Sequence, residues 1–374
     1  MKKIANYFPG LAFAASLMVI GGLSFNGYAN YKVQAKSWIA GDQAVAFEEH
    51  YDDQLPIKNI GVNVWAAIEY ALFKEGRSGV VIGQDGWLFS AEELKAYSAE
   101  QNHTDENLSI IKAVSDQLKE QDITLVMAVI PSKVRIYPEY LGDHQPSESA
   151  MQRYSTFTQW LQTEDIQWTG FKEPMLQSKQ QQPLYLRTDT HWTPAGAKLA
   201  AAQLKDAIAS IDAELLNTKA QFSTTVLPQQ LHEGDLMSFI PFRDYFSWMG
   251  PQPEAIEPQT TQLISDEGGD DADALLFAEE PSFDIALVGT SYSANKLWNF
   301  PGAIEQQLEQ EILNYAEEGK GPFEPMITYL SSEDFAETPP RLIIWEFPER
   351  YLPIKSKNIN KKHAHIPVEQ EPSA

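Results

Sequence analysis

Two short segments carry residue types that can do chemistry together. The first is Arg187-Thr-Asp189-Thr-His191-Trp-Thr-Pro-Ala-Gly196, and the second is Val288-Gly289-Thr290-Ser291-Tyr292-Ser293. In an extended stretch, side chains two apart point to the same side. Asp189 can then hold the Nδ1–H of His191 and leave Nε2 free as a base, the relation that orients a Ser-His-Asp triad. Ser291 follows an apolar run and a glycine, so it sits at the carboxyl end of a strand, where open α/β sheets bind ligands. Gly289 lets a substrate carbonyl approach the backbone. The N–H of Ser291, joined by the Asn295 side chain, can receive an oxyanion. The pattern is G-x-S-x-S, not the G-x-S-x-G elbow of α/β-hydrolases. Each segment alone reads as well as a capped helix start or a polar turn; as a pair they supply a nucleophile and an oriented base.

The chain has seven histidines, and among them His191 has the best-placed acidic neighbour. A rival use exists for His232, in Leu231-His-Glu-Gly-Asp-Leu236, which can join Asp189 and His191 as metal ligands. No HExxH-type spacing supports that, so we expect neither metal nor cofactor. Trp192, Tyr292 and Trp298 can offer aromatic faces to a ligand or fill the core. Lys133, Arg135, Arg187, Lys296 and Arg350 lie in or beside the motifs and can form a basic groove or ordinary ion pairs.

These residues need a scaffold. Gly79–Gly83 and Gly86–Phe89 read as two short strands around a Gln84-Asp85 turn. Apolar residues at 108, 111, 114 and 118 predict a helix over Thr104–Gln121. Ile123–Ile130 is a continuous apolar run, as in a parallel-sheet strand buried on both faces. Ser149–Thr163 reads as a second helix. Thr193 caps a third, with Pro194 in its first turn, running to Ser210. Phe283–Val288 and Leu342–Trp345 are further buried strands. Strands alternating with helices predict an α/β layered fold with a mostly parallel central sheet flanked by helices. Residues 31–74 form a helical lead-in to a domain over 75–352. Residues 251–281 read as an acidic loop, with seven acids between Asp266 and Glu280, and 353–374 as a disordered tail.

Composition limits the rest. The chain has 374 residues, and 28 basic against 52 acidic residues give a net charge of −24. Nothing there supplies the field that a general nucleic-acid binder needs. The absence of cysteine removes thiol nucleophiles, disulfides and thiolate metal sites. Lys2 and Lys3 precede an uncharged segment from Ile4 to Tyr31, the export pattern. Residues 1–30 are then a signal peptide cleaved after Ala29, or an anchor, since spanning takes about 20 residues. Either way the body of the chain is expected in the periplasm, soluble or tethered to the inner membrane.

The Asp189-Thr-His191-Trp-Thr-Pro-Ala-Gly196 segment with a later Gly289-Thr-Ser291-Tyr-Ser293 resembles the AlgJ/AlgX family of polysaccharide O-acetyltransferases, whose catalytic domain is similar to SGNH hydrolases. The likeness extends to Gly83–Phe89, Pro131-Ser-Lys133, Gly234-Asp-Leu236 and Trp345–Arg350. Ordinary SGNH hydrolases place the serine first; in this family, as here, it comes last. The resemblance implies that Ser291 is the nucleophile, His191 the base and Asp189 its orienting acid. It implies an exopolysaccharide acceptor such as alginate, an acetyl group relayed by a membrane-bound O-acyltransferase, and other exopolysaccharide acetylation proteins as partners. Only about twenty polar residues follow Tyr351, which fits the AlgJ type better than the AlgX type with its additional carbohydrate-binding module. A carbohydrate acetylesterase and a non-catalytic export scaffold are the rival readings.

Overall fold

The computed structural model describes residues 8–33, 37–54, 56–217, 219–264 and 283–356. Lys2, Lys3, the acids from Asp266 to Glu280 and most of the expected tail lie outside these. Two compact units emerge.

The smaller unit spans residues 1–77 and 239–251. Its helices run over Phe8–Ala29, Asp42–Gln54 and Pro56–Phe73. Among the described residues no helix is long and apolar enough to cross a membrane. Tyr70 packs on Phe242 at a ring separation of 4.9 Å, so the segment 239–251 joins the lead-in helices instead of the later domain.

The larger unit is the α/β domain. Along the chain its strands are β1 (Val80–Ile82), β2 (Leu88–Ser90), β3 (Thr124–Ile130), β4 (Gln167–Gly170), β5 (Phe222–Val226), β6 (Gln230–His232), β7 (Glu254–Ile256), β8 (Gln259–Leu263), β9 (Ile285–Val288), β10 (Leu313–Asn314) and β11 (Leu342–Pro348). Five of them form a parallel sheet in the order β10-β9-β11-β3-β4. The apolar runs explain its centre. In β3, Val126, Ala128 and Ile130 enter the core on one face, while Leu125, Met127 and Val129 enter the core on the other. Helices Pro194–Ile211 and Phe300–Leu308 cover the first face; Glu100–Glu120, Glu148–Thr163 and Phe323–Leu330 cover the second. Each fully buried aliphatic side chain contributes about 1.5–3 kcal/mol, and β9 and β11 are buried along their whole length.

The segment read as one acidic loop is, in its first part, two strands. β7 pairs antiparallel with β6, and β8 with β5. Thr-rich β8 is half solvated, and its partner β5 lies about forty residues earlier, so neither a hydrophobic run nor a local turn marks it. Edge strands β4 and β10 escape the sequence for the same reason. Thr193 caps its helix as expected, accepting from the Gly196 N–H at 3.1 Å.

Candidate active site

Ser291 begins a four-residue helix, Ser291–Ala294, immediately after β9 and Gly289-Thr290. The register of β11 on β9 places Trp345 beside Val288, which brings the next residue, Glu346, against Gly289. A Cβ on Gly289 would lie 2.5 Å from Glu346 Oε2, so the glycine makes room for this carboxylate and not, as expected, for a substrate carbonyl. Glu346 is fully buried. It accepts hydrogen bonds from the Thr290 N–H at 2.6 Å, the Thr290 hydroxyl and the Ser293 hydroxyl. Burial pushes its carboxyl up to about 7 in spite of these donors.

His191 arrives from the far side, on the loop before the helix Pro194–Ile211. Its Nε2 lies 2.7 Å from Ser291 Oγ, and its Nδ1 lies 2.6 Å from Asp189 Oδ1. An ionised carboxylate can only accept, so the ring proton sits on Nδ1 and Nε2 accepts from the serine hydroxyl. The Asp189–His191 relation is not the extended pairing expected from the spacing. Oδ1 also accepts from the His191 backbone N–H at 2.9 Å, so the two residues close a tight side-chain turn.

Asp189 has a second set of donors. His232 Nε2 reaches its Oδ2 at 2.8 Å, and the Asp235 N–H reaches the same oxygen at 3.1 Å. Burial alone would raise the Asp189 carboxyl, but the hydrogen bonds from His191 and His232 outweigh it and hold the group well below the usual carboxylate range. The bond to Asp189 in turn raises the His232 imidazole. Asp235 accepts from the Thr190 N–H and hydroxyl at 2.8 and 2.6 Å. Gly234 lets this segment pass the loop, because a Cβ there would sit 2.1 Å from the Thr188 carbonyl oxygen.

Two side chains, the buried Lys133 and the half-buried Glu254, pin the loop from below. The Lys133 ammonium donates to the carbonyls of Leu88, Arg187 and Asp189, and burial lowers it to about 8. Glu254 of β7 accepts from the N–H groups of Arg187 and Thr188 at 3.0 and 2.9 Å. Sequence reading missed Glu346, Glu254 and Asp235. A lone acid inside the apolar run of β11 was the available signal for Glu346.

Several expected substrate contacts prove internal. Trp192, Tyr292 and Trp298 are at most 1% exposed. Trp298 stacks on His191 at 5.1 Å and donates its Nε1–H to the Ser291 carbonyl at 3.1 Å, while the Tyr292 hydroxyl donates to the Thr190 carbonyl at 2.6 Å. Tyr292 and Trp298 thus position the reacting pair, Trp192 packs behind them on Tyr292 and Phe300, and none of the three can serve as a sugar platform. Arg350 and Lys133 are buried, and Arg135 is paired with Glu349 at 2.8 Å, so no basic groove forms from these three. Arg187 is partly exposed beside Glu254. Asn295 is half-buried, and its Oδ1 accepts from the Leu297 N–H. Lys296 is exposed.

Asp189, His191 and Asp235 offer three potential ligand atoms within 4.8 Å of one another. Each of their polar side-chain atoms already bonds another protein group, so we assign the cluster to the hydrogen-bond network. His232 joins it as a donor to Asp189, replacing the ligand role considered from sequence.

Residues 80–349 match the family model described as SGNH hydrolase-like domain, acetyltransferase AlgX. The chain is 43% identical over 345 residues to the "Probable alginate O-acetylase AlgJ" of Pseudomonas syringae pv. tomato, covering 91% of this chain and 86% of the relative. The Azotobacter vinelandii protein of the same name is 42% identical over 357 residues, covering 95% and 90%. The solved O-acetyltransferase domain of Pseudomonas putida AlgJ superposes with a TM-score of 0.69 at 38% identity, covering 77% of this chain and 98% of that one.

Proposed function

The chain belongs to the SGNH hydrolase-like acetyltransferase family of AlgX and AlgJ and is an acyltransferase, and from this premise we propose that it moves an acetyl group onto a hydroxyl of alginate through an acetyl-Ser291 intermediate. The observation that supports this most is the continuous bond line from Asp189 through His191 to the Ser291 hydroxyl, at 2.6 and 2.7 Å.

In the first half-reaction Ser291 Oγ attacks the acetyl carbonyl carbon while His191 Nε2 takes its proton. The ionised Asp189 stabilises the resulting imidazolium. The tetrahedral intermediate collapses, His191 returns the proton to the leaving group, and acetyl-serine remains. In the second half a sugar hydroxyl gives its proton to Nε2 and attacks the acetyl carbon. The Ser291 oxygen leaves and is reprotonated. The Ser291 N–H, at the first position of its helix, has no intrahelical acceptor. We assign it to the oxyanion together with the Asn295 Nδ2 amide, each donor contributing about 3 kcal/mol to the transition state.

The acetyl group enters, in this reading, from a membrane-bound O-acyltransferase across the inner membrane. That fits the basic, then uncharged, amino terminus and a periplasmic place of action. Other exopolysaccharide acetylation proteins are the expected partners.

Ser291→Ala and His191→Ala should each abolish polymer acetylation in cells while the protein still accumulates. Unchanged acetylation would sink the proposal in favour of a scaffold. Purified protein given an activated acetyl ester should acetylate added polymer; release of free acetate alone would mark an esterase.

A further inference from the structure

Ser291 and His191 stand a hundred residues apart in the chain, and one side chain touches both. Trp298, seven residues after the nucleophile, donates its Nε1–H to the Ser291 carbonyl at 3.1 Å. Its ring lies nearly parallel to the His191 imidazole, with centroids 5.1 Å apart and 19° between the planes. That is a stacked arrangement, and it falls within the ~6 Å over which an aromatic face attracts a cation. His232, the other imidazole on Asp189, meets the same indole at 5.7 Å and 87°, so of the two histidines only His191 lies along the indole plane.

A second ring flanks His191. Tyr292 stands 4.7 Å away, tilted by 55°. The Arg350 guanidinium already sits over this ring at 5.5 Å, so a further positive charge gains little from it. Among the described residues no ammonium or guanidinium lies over Trp298. Trp298 is also buried, so water does not compete for its face, and a desolvated cation–π contact is stronger than an exposed one. A neutral histidine has no need of an electron-rich face, since an aliphatic side chain of similar volume would pack on it as well. An imidazolium has, and His191 becomes one while it holds the proton taken from Ser291 Oγ.

Resting on the acyl-transfer reading, we infer that Trp298 is a positioning residue whose indole face stabilises the His191 imidazolium during proton transfer, a role beyond holding the ring in place. Asp189 serves the charge in the ring plane, at Nδ1; Trp298 serves it from the ring face. The bond from Nε1–H to the Ser291 carbonyl ties the indole to the nucleophile's own turn. The stabilising face is thereby fixed to the backbone of the residue that gives up the proton.

Fluorine on the indole tests charge at nearly constant shape, because each atom withdraws electron density from the face. Trp298, one of nine tryptophans, is replaced site-specifically in the full chain by its mono-, di- and trifluoro analogues. Release of 4-nitrophenolate from 4-nitrophenyl acetate is then followed. Across the series kcat should fall stepwise, to roughly tenfold below wild type at three fluorines, with KM and melting temperature at the wild-type values. Trp298→Leu, which has no aromatic face, should lose ~30-fold. Trp298→Phe keeps a face, loses the N–H, and should be faster than the leucine variant. A flat fluorine series overturns the inference. So does a phenylalanine variant no faster than leucine, since the N–H bond would then set the rate. Ser291→Ala is assayed beside them. If it releases no nitrophenolate, the acyl-transfer reading stands and the fluorine series decides Trp298 alone; if it keeps the wild-type rate, the acyl-transfer reading fails and takes the inference with it.

Discussion

Two buried carboxylates flank the reacting pair and are treated in opposite ways. Asp189 is ringed by donors, with one oxygen accepting twice from His191 and the other from His232 and Asp235, and it stays ionised far into acid. Glu346 lies beneath Ser291 between strands, bonded to Thr290 and Ser293, and burial brings it to about 7. Both are held by hydrogen bonds; they differ in how many of those bonds come from groups able to carry positive charge. The histidine side of the site is organised by charge, which a base needs when it becomes an imidazolium. The serine side is organised by packing, which fixes a nucleophile without placing a full negative charge under its developing oxyanion.

The comparison breaks most sharply at Asp189. Asp189→Asn keeps the shape but can offer an N–H where His191 needs an acceptor, favouring the wrong tautomer. Acetylation should fall by about 10³–10⁴-fold, with the melting temperature little changed. A loss below tenfold would show that the carboxylate only shapes the loop. Glu346→Gln should instead leave most of the rate.

The two carboxylates should also pull stability in opposite directions with pH. Glu346 is raised in the folded state from 4.5 to about 7, so its contribution is complete below pH 4.5 and declines as pH climbs toward 7, by at most ~3 kcal/mol. Asp189 is lowered, so its contribution is complete above 3.8 and disappears as acid is added below that. Denaturant midpoints measured from pH 4 to 8 should lose their downward slope in Glu346→Gln. An identical slope in the variant would mean that Glu346 is ionised throughout.

Gly289→Ala probes the serine side by volume. The new methyl would meet Glu346 Oε2 at 2.5 Å and its Cβ at 2.7 Å, inside a core of β-strands that cannot retreat. A destabilisation of ~1–3 kcal/mol follows from such overpacking, and displacement of Ser291 should lower the rate as well. Thermal melting and initial rates check both; a wild-type melt would show that the turn is looser than its contacts imply.

This asymmetry also governs what can be read from the chain. Asp189-x-His191 and Gly289-Thr-Ser291 are legible because nucleophile and base chemistry requires those types in short segments, and Ile123–Ile130 because a doubly buried strand must be apolar throughout. The supports are not legible. Lys133, Glu254 and Asp235 act through backbone groups of a loop distant in sequence, and any polar residue type at many positions could have done so. The aromatic residues misled in the other direction: next to a catalytic motif, Trp192 and Tyr292 suit a sugar platform and a core equally, and only the two-sided burial of the sheet decides. β8 was hidden by its solvation, since a strand that covers little apolar surface needs no periodicity.

The smallest effect belongs to His232, and it refines the histidine side. His232 donates to the Asp189 oxygen that His191 does not use, and the bond raises its own imidazole above the ordinary value. When it gains a proton, the cation shares the carboxylate with the forming His191 imidazolium and weakens Asp189 as its partner. His232→Ala leaves that oxygen short of a donor, and the rate should fall by roughly tenfold, as for the loss of an orienting partner. His232→Gln can still donate to Asp189 but cannot titrate. It should recover most of the rate and keep activity to lower pH than the wild type, because one proton that competes for the carboxylate is gone. Rates from pH 5 to 8 test this, and a purely structural histidine would leave the acid limb where it was. If His232→Gln reproduces the wild-type profile, Asp189 serves His191 alone, and the second histidine is a brace for the Gly234–Asp235 turn.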